Sequence, residues 1–88
     1  MNLYHISQDV NREYDTYSDA VVAAPDEDTA ANMHPLDGRI IDWESESFGG
    51  TWQTRDWASK REQVMVELIG IAADHISQGV VCSSYLAG

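Results

Sequence analysis

Three carboxylates, those of Asp42, Glu44 and Glu46, alternate along residues 40–46 (IIDWESE). This stretch predicts a short edge strand, on which residues two apart point the same way and are separated by about 6.8 Å. That spacing is about twice the 3.4 Å rise per nucleotide along one strand of DNA. Such a line of carboxylates would meet cations that otherwise hold phosphates, so these acids are candidates for contacting a basic protein surface.

A second group of acids, Asp26, Glu27 and Asp28, directly follows Pro25. Proline suits the first position of a helix, and acids in the first turn complement its positive dipole. We therefore expect a helix from Pro25 to about His34, because the residue before a proline disfavours helical geometry. The three acids have two interpretations at this point: they stabilise the helix start, or they bind a partner.

Residues 8–18 (QDVNREYDTYS) are polar and predict a long exposed loop, a place where binding residues are often found. Tyr14, Asp15 and Tyr17 lie in it. Tyrosine is a common anchor of protein interfaces, so these three complete the candidate partner-binding residues.

Residues able to catalyse a reaction or hold a metal are sparse. His5, His34 and His75 have no second His, Cys or paired acid at metal-ligand spacing, so no metal or other cofactor is assigned. We expect His34 to interact with the end of the helix, and Cys82, in the apolar run 80–82, to be a buried structural thiol. No catalytic residue is assigned. The alternative is a small hydrolase that uses Cys82 or a His–acid pair in the long loop.

The elements that must position these residues follow from hydrophobic patterning. Strands are predicted over 2–7, 19–24, 40–46, 63–72 and 79–86. The strand at 63–72 is apolar on both faces, which predicts a central position with cover on each side, and 73–78 should join it to the last strand as a hairpin. The predicted fold is α+β, a mostly antiparallel sheet of four to five strands with one short helix after the second strand. The predicted core comprises Leu3 or Tyr4, Ile6, Val21 or Val22, Ala30, Met33, Val66, Leu68, Ile69 and Val81, and burial is also the expected state of the tryptophans.

Charge is distributed very unevenly along the 88 residues, which are few enough to predict a single domain, 1–88. Residues 1–46 hold eleven acids against two arginines, a net charge of −9, whereas residues 47–88 have a net charge of −1. Such a surface repels nucleic acid and anionic membranes and attracts basic proteins. The lone cysteine excludes an intrachain disulfide, and the sequence shows neither a signal peptide nor an apolar run of about 20 residues. We therefore expect a cytoplasmic protein.

Two stretches, residues 6–11 (ISQDVN) and 14–24 (YDTYSDAVVAA), resemble a family of small uncharacterised proteins from phages, prophages and bacteria. Residues 57–58, 66–70 and 87–88 fit the same family, so the resemblance spans nearly the whole chain. It implies a phage or bacterial context and carries no catalytic residue. In size and charge alone, the chain is also similar to small acidic anti-CRISPR and other anti-defence inhibitors.

These observations predict a non-enzymatic protein that binds a basic protein surface, such as the nucleic-acid-binding subunit of a bacterial defence complex. The acidic face then either mimics nucleic acid or meets an ordinary basic patch. One alternative is a face that only maintains solubility. Another is a homo-oligomeric module in which a partner chain covers the strand at 64–72. Because two acidic faces repel each other, we expect a monomer or a weak homodimer.

Overall fold

A four-stranded antiparallel sheet with one short helix forms the fold. The computed structural model describes residues 1–10, 16–43, 57–58 and 60–86. Its elements are β1 (Asn2–Ser7), β2 (Thr16–Ala24), α1 (Glu27–Ala31), a 3₁₀ turn (Arg61–Gln63), β3 (Met65–Ile71) and β4 (Gly79–Leu86). The strand order is β3-β1-β2-β4, and every neighbouring pair is antiparallel. The predicted α+β class, with a helix after the second strand, is therefore confirmed.

The first and last strands have the predicted bounds, whereas β2 is longer than predicted. It begins at Thr16, because Thr16 and Tyr17 pair with Leu86 and Tyr85 of β4. Both are good strand formers, and Tyr17 is only 8% exposed. The prediction that places Tyr17 in an exposed loop is therefore wrong.

The strand at 63–72 is confirmed as β3, but its predicted central position is wrong. β3 lies at one edge of the sheet beside β1, and β4 lies at the other edge beside β2. Residues 73–78 consequently do not form a hairpin. The connection passes the ends of β1 and β2, and the backbone N–H of Ala72 donates to the Met1 carbonyl at 2.9 Å.

The helix is shorter than predicted. Pro25 precedes Asp26, which is the N-cap, and α1 ends at Ala31 with Asn32 as its C-cap. His34, which was expected to lie at the helix end, is therefore two residues beyond the C-cap. It is fully buried, its carbonyl accepts from the Gly38 N–H at 2.8 Å, and its Nδ1 accepts from the Leu36 N–H at 3.0 Å. The ring thus holds the turn that begins at Pro35.

The core lies between the sheet and α1. Of the predicted core residues, Tyr4, Ile6, Val22, Ala30 and Met33 are buried and Val66 is partly buried. The core predictions for Leu68, Ile69 and Val81 are wrong, since all three are at least half exposed. The expectation for the tryptophans holds for Trp57, which is 1% exposed, and in part for Trp43, which packs against the core. Trp52 lies outside the described residues.

The predicted edge strand at 40–46 is not formed in its described part. Ile40 makes a single bridge to Met33, and Asp42 and Trp43 are in no strand. Glu44 and Glu46 lie outside the described residues. The predicted line of three carboxylates required a strand, and Asp42 does not lie in one. In the described part of the chain, no helix is long and apolar enough to cross a membrane.

Candidate functional site

The first acidic group is located at the start of α1. Asp26 has extended backbone angles and accepts the Thr29 N–H on its carboxylate at 2.7 Å, which is the geometry of a helix N-cap. Glu27 and Asp28 form the first turn, and all three acids are exposed. Asp26 therefore has a structural role, while Glu27 and Asp28 present their charges to solvent.

The pKa of Asp26 is lowered by hydrogen bonds from Thr29, first from its hydroxyl and then from its backbone N–H. These bonds favour the charged carboxylate. Because the folded pKa lies below the unfolded value of about 3.9, the stabilisation is complete above that value. It is lost as the pH falls through the folded pKa.

Replacing Asp26 tests this capping role. Asp26→Ala removes the cap and should lower the melting temperature at pH 7 by roughly 3–8 °C. Asp26→Asn keeps a capping oxygen and should cost less. The advantage of the parent over Asp26→Asn should shrink as the pH falls below about 4. Thermal unfolding followed by circular dichroism from pH 3 to pH 7 measures both effects, and a pH-independent difference would contradict the charged-cap assignment.

Asn32 holds the segment that contains Asp42 close to α1. Its side-chain amide donates to the Asp28 carbonyl at 2.8 Å, and its side-chain oxygen accepts the indole N–H of Trp43 at 2.8 Å. Its backbone carbonyl accepts the Ile41 N–H at 2.7 Å. The segment 41–43 is therefore held against the C-terminal end of α1, and Asp42 is exposed there. A helix of five residues is only about 7.5 Å long, so both groups of acids share one end of the domain.

A further acid, Asp37, is neutralised by a neighbouring arginine. Its carboxylate accepts the backbone N–H of Arg39 at 3.1 Å and two bonds from the Arg39 guanidinium, also at 3.1 Å. The backbone bond, followed by the guanidinium, lowers the pKa of Asp37. Arg39 is the one fixed cation in the sequence of residues 16–43, which contain six acids. We define the acidic end as the exposed carboxylates of Glu27 and Asp28, in the first turn of α1, and of Asp42, in the segment bound to the C-cap Asn32.

The tyrosine anchors are not assembled with the acidic end in the described residues. The Tyr17 ring is tilted against Tyr85, with centroids 4.6 Å apart, and contacts the buried His34 ring edge to face at 6.0 Å. Its packing serves the fold, which makes it unsuitable as a partner anchor. Tyr14 and Asp15 lie outside the described residues.

The structure also places a polar group on the sheet face opposite α1, which the sequence analysis missed. His5 Nε2 lies 2.8 Å from a carboxylate oxygen of Asp19, and both side chains are about one-third to two-fifths exposed. The pair borders a shallow cavity of about 150 Å³ that Cys82 and Ser84 also line. The prediction of a buried Cys82 is wrong, since the thiol is exposed on the edge strand β4. Alternation along β1 was the available signal, because it points His5 away from Tyr4 and Ile6.

The Cys82 thiol is not adjacent to the His5–Asp19 pair in the register of the sheet. His5 opposes Val21, and Val21 opposes Cys82, so Val21 stands between the imidazole and the thiol. Nucleophilic catalysis by a thiol needs its base within hydrogen-bond reach. Among the described residues, no group of three or more His, Cys, Asp or Glu side chains could hold a metal ion.

No protein-family model, curated protein or solved structure matches this chain.

Proposed function

We propose that this protein is a non-enzymatic binding protein whose acidic end contacts a basic surface of a protein partner. The observation that carries the proposal is the exposure of Glu27, Asp28 and Asp42 on one short helix and the segment tied to it. Arg39, the one fixed cation in the sequence of residues 16–43, forms an ion pair with Asp37. A basic surface would therefore meet the exposed carboxylates of Glu27 and Asp28 in the first turn of α1.

The biological setting of the proposal comes from the resemblance to phage and bacterial proteins. A small acidic protein made in an infected cell would act in the cytoplasm, and an inhibitor of a defence complex would bind one of its nucleic-acid-binding subunits. Charged groups at such an interface increase the association rate and set its register. A competition experiment distinguishes the two kinds of basic surface. If the carboxylates substitute for phosphates, DNA or RNA should displace this protein from the partner; if they meet another basic patch, it should not.

The test reverses exposed charge at the acidic end and leaves the helix cap intact. Glu27→Lys combined with Asp28→Lys changes the net charge from −10 to −6. We expect capture of the partner from bacterial lysate to fall by about tenfold or more, because close charge pairs across an interface contribute about 1.5 kcal/mol or more. Capture by the parent should also weaken as the salt concentration rises.

The matched control makes the same change of charge elsewhere. Glu62 and Asp74 are exposed and lie outside the acidic end, and Glu62→Lys with Asp74→Lys also gives a net charge of −6. This variant should retain most of the binding, provided that both variants keep the parent circular dichroism spectrum. Equal losses in the two variants would mean that total charge alone matters. Unchanged binding in both would reduce the acidic end to a solubility feature.

A hydrolase is the second candidate, and one observation favours it: the His5–Asp19 hydrogen bond borders a cavity that an exposed thiol also lines. The same register separates the thiol from the imidazole by Val21. Catalysis by the thiol would require Cys82 and His5 to move closer together. Binding through the acidic end requires no movement, so the geometry supports it better.

A further inference from the structure

The outer edge of β3 combines exposed apolar side chains with an unpaired strand edge. Met65, Leu68, Ile69 and Ile71 are all at least half exposed, and Ile71 is 82% exposed. Within the described residues, β3 pairs with β1 alone. An edge strand presents a row of backbone N–H and C=O groups that can pair with another strand. This edge therefore offers both hydrogen bonds and apolar surface to a second strand.

The distribution of charge makes this edge the place where a second copy of this chain can approach with least repulsion. The whole protein carries −10, yet residues 65–71 contain a single acid, Glu67, and no cation. A strongly basic partner would be drawn to the acidic end, where the exposed carboxylates lie. Two copies, by contrast, repel each other least where their surfaces carry least charge. We propose that two copies pair through β3 in antiparallel orientation, which extends the sheet to eight strands around a twofold axis.

The seven residues of β3 are self-complementary in this arrangement. Leu68 is the midpoint of Met65–Ile71, so full overlap places it opposite Leu68 of the second copy. Glu67 then opposes Ile69, and Met65 opposes Ile71. The two glutamates do not face each other directly. They form a diagonal pair about 7–8 Å apart, a separation close to the Debye length of about 8 Å at physiological salt.

The register of β3 against β1 shows which part of β3 is regular enough to pair with a second copy. The shift between Leu3 and Tyr4 leaves Ile69 as an extra residue in β3, whereas 65–68 are in continuous register. The opposite edge, β4, shifts twice against β2 and has the polar sequence Cys82-Ser83-Ser84 at its centre. β3 is therefore the better template for an added strand, although its irregularity limits the dimer to a weak one.

Sedimentation equilibrium over the micromolar range tests the proposal. The parent should form a concentration-dependent dimer that tightens as salt increases, because salt screens repulsion between two copies of charge −10. This dependence is opposite to that expected for a basic partner, so the two proposals can fail separately. Leu68→Lys places a charge at the midpoint and next to its own symmetry mate. It should raise the dimer dissociation constant by about tenfold or more.

Two further variants make the result specific to β3. Ile71→Lys should also weaken the dimer, and it provides a second reading if Leu68→Lys disturbs the fold. Val81→Lys is the matched control, because Val81 is 53% exposed on β4 at the opposite edge, and it should dimerise like the parent. A parent that stays monomeric at every salt concentration overturns the proposal. So does a dimer that Val81→Lys abolishes while Leu68→Lys and Ile71→Lys leave it unchanged.

Discussion

Replacing Trp57 with alanine is expected to remove a large share of the stability of this domain. The side chain is 1% exposed and belongs to the core cluster that contains Tyr4, Ile6 and Met33. Truncating a buried tryptophan costs about 3–5 kcal/mol, since transfer energy is lost and a cavity remains. Small domains have about 5–15 kcal/mol in total, so the urea midpoint should fall by about 2–4 M.

Urea unfolding followed by far-ultraviolet circular dichroism measures this loss. Trp57→Phe is the control, because it keeps an aromatic ring in the same place and should lose much less stability. Trp43→Phe provides a second comparison: Trp43 is partly buried and would lose its hydrogen bond to Asn32, at a cost of about 0.5–1.5 kcal/mol. A midpoint for Trp57→Ala within 0.5 M of the parent, judged against an error of about 10–15%, would contradict the position of Trp57 in the core.

Local patterning was enough to predict the strands but not their order. Residues 2–7 and 79–86 contain strand-forming types between turn formers, and these strands formed with the predicted bounds. The order failed because an apolar pattern on both faces of β3 is compatible with a covered centre or with an edge that a partner can cover. The length of the connection 72–78 did not distinguish a central from an edge position of β3. Its seven residues can span about 23 Å, whereas β1 and β2 separate the two edges by only about 14 Å.

The end of α1 was predicted too late in the sequence because the contacts that end the helix are not local in pattern. A proline at position 35 correctly predicts a break, yet the helix ends four residues earlier. Asn32 caps it and bonds to Trp43, eleven residues away. The buried His34 ring contacts Tyr17, which lies in β2. A single sequence records none of these pairings, so the burial of the histidine could not be derived from its neighbours.

The candidate site was partly predictable for the same reason. Asp26, Glu27 and Asp28 were identified through the local chemistry of a helix start, which operates within one turn. The proximity of Asp42 to α1 depends on the Asn32 contacts, and the strand geometry proposed for it did not form. The His5–Asp19 pair joins residues fourteen positions apart through the register of β1 and β2. Predicting it required the pairing of two strands across a loop whose length was misjudged.

Gly38→Ala is expected to destabilise the turn that positions Asp42. Gly38 has φ of +79°, in the left-handed region that favours glycine, and its N–H closes the turn on the His34 carbonyl. An added Cβ would lie 3.1 Å from the Cα of Gly79 and 3.3 Å from both Met33 Cε and the Val80 nitrogen. Left-handed backbone costs about 1–2 kcal/mol and crowding about 1–3 kcal/mol. We therefore expect a loss of about 2–5 kcal/mol in the free energy of unfolding.

Gly70→Ala is the matched control for this prediction. Gly70 lies in β3, its φ is not in the left-handed region, and an added Cβ would meet no atom within 4 Å. The substitution reduces the freedom of the unfolded chain and should leave the free energy of unfolding equal to the parent's or raise it by up to about 1 kcal/mol. Paired urea titrations of the two variants separate backbone strain from the general effect of adding a methyl group. If Gly38→Ala were as stable as Gly70→Ala, the close approach of the turn to the start of β4 would be wrong. The turn would then not be the element that fixes Asp42 at the acidic end.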